Sequence, residues 1–177
     1  MVHSTDNYAI GKGILSIGNV AASPTFVEVG NCPTISLELT EERLEHFSSR
    51  GGLKNRDLYP LVRVQYTLTI ETDEMTKENI MLFCKGTDQG GEIFAFDDLT
   101  KEYSMKFVED NPIGPNRTWI FHRGILSASG ALVGIGDDWK KIALKFEGLT
   151  DETYHSTSPY FTIEFATTTT IPMTTTS

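Results

Sequence analysis

Two runs of strict alternation constrain this chain more than any other feature. Val62, Val64, Tyr66, Leu68 and Ile70 alternate with Arg63, Gln65, Thr67, Thr69 and Glu71, and earlier Ile35, Leu37 and Leu39 alternate with Ser36, Glu38 and Thr40. Successive side chains on a strand point to opposite faces, so each run makes a strand with one apolar and one polar face. Between them lies EERLEHFSSRGGLKNRDLYP, Glu41 to Pro60. Connections between strands are usually about 2–5 residues, and much longer ones are normally functional or disordered. This insert carries Leu44, Phe47, Leu53, Leu58 and Tyr59. A solvated linker would lack them, so the insert is expected to lie on an apolar surface, either its own sheet or another copy of the chain.

The remainder reads as more of the same fold class. Gly13 to Ser16 and Thr25 to Val29 predict a hairpin with a turn at Ala21 to Pro24. Further strands are expected at Glu92–Phe96, Tyr103–Val108, Trp119–Leu126, Ala131–Ile135, Ile142–Phe146 and Tyr160–Ala166. One helix is predicted, Lys77 to Lys85. Thr76 is placed to cap its first turn, Glu78 and Lys85 suit its dipole, Ile80, Phe83 and Cys84 share a face, and Gly86 ends it in a left-handed conformation. The expectation is a mainly β fold, a two-sheet β-sandwich or partial barrel with one short flanking α-helix. Residues 1–166 form its single domain, with the long loop at 41–60. Residues 167–177 form a Thr-rich C-terminal arm.

The 177 residues suffice for one domain with a core, and no apolar run reaches the ~20 residues that span a bilayer. No basic end followed by an apolar block opens the chain, so no export signal is expected. Cys32 and Cys84 are therefore read as reduced thiols, Cys84 as a small core residue. The net charge of −9 disfavours binding to a phosphate backbone.

Catalytic signals are sparse. His3, His46, His122 and His155 are scattered outside zinc-binding spacings, and neither a GxSxG elbow nor a GxxxxGKS loop occurs. Asp97-Asp98 and Asp137-Asp138 suit turns as well as they suit calcium. No catalytic residue, cofactor or metal is expected. The insert is the exception to this plainness. Arg50, Lys54 and Arg56 are clustered in an otherwise acidic chain, beside Leu44, His46, Phe47 and Leu53. Such a loop suits docking on an acidic neighbour by complementary charge. It equally suits a local cover on its own sheet.

The segment Ile35-Ser-Leu-Glu-Leu-Thr, then Leu44-Glu45-His46-Phe47-Ser48-Ser49 with Gly52, Lys54 and Asp57, then a clean strand and a short helix, resembles the major tail tube proteins of long-tailed bacteriophages. The stretch from Trp139 to Asp151 is similar to that family's C-terminal strand and turn. The Thr-rich end has no counterpart in the resemblance. The resemblance implies a structural subunit, not an enzyme. Six copies would form a ring, rings would stack into a tube, the insert would bridge to a neighbour, and DNA would leave through the bore. It further implies partners at the tube's ends (tail terminator and tail tip proteins) and a tape measure protein in the lumen before DNA, with assembly in the bacterial host cytoplasm and a final place in the virion tail. Specific nucleic-acid binding and membrane insertion are not expected. Glu38 and Glu71, on the polar faces of the two strands, are candidates to line the bore, or else they face outer solvent. A tube of a contractile injection or type VI secretion machine, and a β-sandwich binding or decoration protein, remain the alternative readings.

Overall fold

The computed structural model describes residues 9, 11–48, 52–112 and 114–165. Arg50 and the Thr-rich segment from Thr167 lie outside the described residues. The fold is mainly β, of sandwich type, with one short helix. Eight strands form one antiparallel sheet: β1 (Gly13–Asn19), β2 (Phe26–Glu28), β3 (Thr34–Arg43), β6 (Leu61–Thr72), β9 (Glu102–Glu109), β10 (Arg117–Ala128), β11 (Ile142–Gly148) and β12 (Phe161–Phe165). Two small hairpins stand apart from it, β4 (His46–Ser48) with β5 (Asn55–Leu58), and β7 (Thr87–Gln89) with β8 (Glu92–Phe94).

The order across the sheet is β2-β1-β9-β10-β11-β6-β3. The central strand β10 is forked. Along one side it pairs with β9, while on the other side Arg117–Phe121 pair with β12 and Gly124–Ala128 pair with β11. The switch falls at His122 and Arg123, where the β9 register also shifts. A shift of this kind bends a strand and sharpens its twist. Tyr66 of β6 sits in the fork. Its hydroxyl is 3.1 Å from the Arg123 carbonyl and 3.2 Å from the Tyr160 carbonyl, and its ring packs on Phe121, Phe146 and Phe161. Burial pushes the Tyr66 hydroxyl pKa up, so it stays a donor.

The alternation expected from sequence places Leu37 opposite Leu68, Leu68 opposite Phe146 and Phe146 opposite Leu126. Leu15, Leu68, Ile70, Met105, Ile142, Leu144 and Phe146 are fully buried in this core. Each such side chain contributes roughly 2 kcal/mol by leaving water. The helix α1 (Lys77–Cys84) packs on the apolar face over β10 and β11.

Two sequence expectations need correction. Lys85, not Gly86, takes the left-handed C-cap, with φ 49° and ψ 47°. Gly86 serves a different need, since a β-carbon there would lie 2.8 Å from both Ile93 Cγ2 and the Phe94 carbonyl oxygen. Ala131–Ile135 is not a strand. Residues 129–141 form an irregular loop, because β11 already holds the place beside the second half of β10. Ile135 in that loop is 98% exposed.

Candidate functional site

The insert between the two defining strands neither covers its own sheet nor runs as an irregular loop. It is a projecting β-arm. β3 and β6 pair from Thr34↔Glu71 to Arg43↔Leu61, with a register shift at Glu42/Arg43. The chain then continues into the β4–β5 hairpin, where His46 faces Leu58 and Ser48 faces Asn55. Among the described residues, β4 and β5 pair with each other alone. Sequence reasoning missed this hairpin because its strands are short and their pattern is broken by charges.

Away from the core, both faces of the arm meet solvent. Leu44 is 65% exposed, Leu53 74% and Leu58 59%, and Phe47, Tyr59, Leu61 and Val62 are also exposed. Before Tyr66, residues Leu61 to Gln65 of β6 are all exposed, so the apolar positions of an ordinary strand become surface. Exposed apolar area of this extent, in contiguous sequence, marks an interaction surface.

The charges of the arm are largely paired within it. Arg43 meets Glu41 at 3.0 Å, Arg56 meets Glu45 at 3.0 Å, Arg63 meets Glu42 at 3.5 Å, and His46 Nδ1 lies 2.5 Å from Asp57. Arg56 also stacks over the Tyr59 ring at 4.4 Å. The His46 contact holds the Asp57 carboxyl below its usual range. Pairs this exposed contribute little stability. They leave its apolar side chains as its distinguishing chemistry. Lys54 makes no ion pair among the described residues and carries free positive charge beside Leu53.

The structure thus brings Leu44, His46, Phe47, Leu53, Lys54 and Arg56 together on one arm. Glu38 and Glu71 lie apart from it, on the polar face of the sheet. Glu38 is exposed, while Glu71 is half-buried and 3.6 Å from Lys141. Neighbouring Glu147 bonds Lys145 at 2.7 Å, so this face is mixed in sign.

One cluster was invisible in sequence. His122, at the fork, stacks on His155 with ring centroids 3.8 Å apart and planes 16° from parallel. Buried Asp151 reaches toward His155 at 3.9 Å, and neither His122 ring nitrogen has a hydrogen-bond partner among the described residues. A metal binds imidazole in the ring plane, and two stacked planes do not meet at one ion. No group of three or more His, Cys, Asp or Glu among the described residues is arranged to hold a metal. Desolvation, then the His155 neighbour, lower the His122 pKa, with Asp151 opposing. Burial pushes the Cys32 thiol up to about 11, and Cys84 is half-buried and also free.

A family model described as "Protein of unknown function UCP028589" matches residues 8–102. No curated protein sequence matches the chain. Among solved structures, it is similar to the sheath/tube terminator of an extracellular contractile injection system in its extended state. That likeness has 11% identity, covers 89% of this chain and 98% of that one, and has a TM-score of 0.45. It is also similar to the tube-terminating cap of the anti-feeding prophage, with 11% identity, 94% of this chain, 100% of that one and a TM-score of 0.40. Backbone overlap at this level passes no role from those proteins to this chain.

Proposed function

Since this chain belongs to the family described as "Protein of unknown function UCP028589", whose description carries no activity, we propose its role from its own geometry: a non-catalytic structural subunit of a tail-type tube that assembles through its arm. The observation that carries this reading is the exposed apolar arm at one end of the sheet. Covering what Leu44, Phe47, Leu53 and Leu58 still expose would contribute roughly 5 kcal/mol. Association costs about 4–15 kcal/mol, so a single arm contact is marginal and a closed ring of several contacts is favoured.

In the full reading, suggested by the resemblance to phage tail tube proteins, six copies close into a ring, rings stack, and the arm bridges subunits. Six copies at −9 each carry roughly fifty negative charges, which keeps DNA mobile in the bore. In this reading Glu38 and Glu71, on the polar face of the sheet, line the bore; the alternative is that they face outer solvent. A terminator, a tip and a tape measure protein are the partners such a tube requires.

The test is electron microscopy of purified protein at rising concentration, with and without residues Leu44 to Lys54. The expected result is rings or open tubes from the full chain, and a folded, non-polymerising deletion. Rings that never stack would assign the chain to the end of a tube instead. A full chain that stays monomeric at every concentration would overturn the reading.

A further inference from the structure

The molecule holds a second apolar surface, at the opposite end of the sheet from the arm. Between α1 and the β1–β2 hairpin lies an open groove of about 580 Å³, floored by Ile17, Val27, Leu82 and Tyr103. Val27 is 65% exposed there, although it sits in a strand. Glu78 stands in the lining, is exposed, and makes no ion pair among the described residues, whereas Glu28, next to Val27 on β2, belongs to the opposite strand face. The groove is therefore apolar with free negative charge at Glu78, and the arm carries exposed Leu53 beside free positive charge at Lys54.

The length of β6 separates the two surfaces. The arm precedes its first residue, Leu61, whereas α1 follows its last, Thr72, and Asn79 of α1 bonds the Val29 carbonyl just after β2. The arm extends from the β3–β6 pair, the groove flanks β1–β2, and α1, which walls the groove, packs on β10 and β11. Two different complementary surfaces at opposite ends of one subunit make a head-to-tail contact, the kind that closes into rings or runs on as a filament.

We propose that the groove between α1 and the β1–β2 hairpin receives the arm of a second copy of this chain, with Leu53 seated against Val27 and Leu82 and Lys54 facing Glu78. This deepens the structural reading above and rests on it, since it names the receiving surface for the arm. Apolar burial supplies the attraction and the opposite charges set orientation.

A mixing experiment tests it with two full-length variants, Leu53→Asp in the arm and Val27→Asp in the groove. Both positions are exposed, so circular dichroism and the melting midpoint should match the parent chain. Sedimentation velocity of each variant alone should show monomer at concentrations where the parent assembles. Because one contact is weaker than a closed ring, the 1:1 mixture is taken well above the concentration at which the parent assembles; there it should form a heterodimer and stop, since one partner supplies an intact groove and the other an intact arm. Association in the mixture should be at least about tenfold tighter than in either variant alone, a difference of about 1.4 kcal/mol. If Val27→Asp assembles like the parent, or if both variants fail and their mixture stays monomeric, the groove is not the receiving surface, while the structural role of the arm stands. A parent chain that never assembles overturns both.

Discussion

Gly148 lies against the ring of Tyr66, so close that a β-carbon on it would meet the ring's Cε1 and Cζ at 2.1 Å. The contact joins the end of β11 to the residue that fills the fork of β10. Neither partner has room to yield, because the ring is held by Phe121, Phe146 and Phe161 and by the two carbonyls that its hydroxyl reaches. Gly148→Ala should therefore destabilise the fold by about 3 kcal/mol, through overpacking. Urea unfolding at low protein concentration measures it, where self-association does not add to apparent stability.

Tyr66→Phe keeps the ring and removes the hydroxyl. The carbonyls of Arg123 and Tyr160 then lose a donor at the point where the strand changes partners. A loss of about 1–3 kcal/mol is expected. Amide hydrogen exchange should quicken first in β12, whose pairing with β10 begins at the fork.

The helix ends predict changes of opposite sign. Thr76 Oγ1 accepts from the Asn79 backbone N–H at 3.1 Å, so Thr76→Ala should cost about 1 kcal/mol. Lys85 sits at φ 49°, a conformation that glycine adopts freely, so Lys85→Gly should stabilise the chain by up to about 1 kcal/mol. Melting midpoints moving in opposite directions would establish both.

Asn79 is the buried residue of α1, and its Nδ2 donates to the Val29 and Glu74 carbonyls, both at 2.9 Å. It ties the helix to the segment after β2. Asn79→Asp replaces the donor with an acceptor and leaves two carbonyls facing a carboxylate. Destabilisation of about 3 kcal/mol is expected. Self-association should weaken as well, because this contact helps hold the walls of the groove together.

Acid should weaken the fold through His122. Its folded pKa is lowered by burial and by stacked His155, against the pull of Asp151, with the Arg123 guanidinium of the same strand engaged by Glu102. A histidine held below its unfolded value of about 6.5 contributes stability that is complete above that pH. As pH falls below it, the unfolded chain takes up a proton that the folded chain resists, and stability drops. The denaturation midpoint should fall between pH 7 and pH 5, and His122→Phe, which keeps an aromatic ring in the stack, should flatten that slope.

How much of this was legible beforehand follows from what alternation reports. The runs 35–40 and 62–71, the helix cap at Thr76, and most strands could be read directly, since period and capping are local properties. Leu44, Phe47 and Leu53 were legible as an apolar insert, yet the β4–β5 hairpin was not, because three- and four-residue strands carry too little pattern. Ala131–Ile135 is a short, nearly continuous apolar run such as a buried strand shows, but β11 already held the place beside the second half of β10.

The amino-acid sequence by itself determined which residues can share a face, that the chain is mainly β, and that one long insert is too apolar for a linker. Only the tertiary structure decided which strands meet. It forked β10, brought His122 beside His155, buried Asn79, and set the arm and the groove at opposite ends of one sheet. The reason is physical: side-chain period is written within a strand, whereas pairing is settled by competition among distant segments for the same hydrogen-bonding edges and the same apolar core.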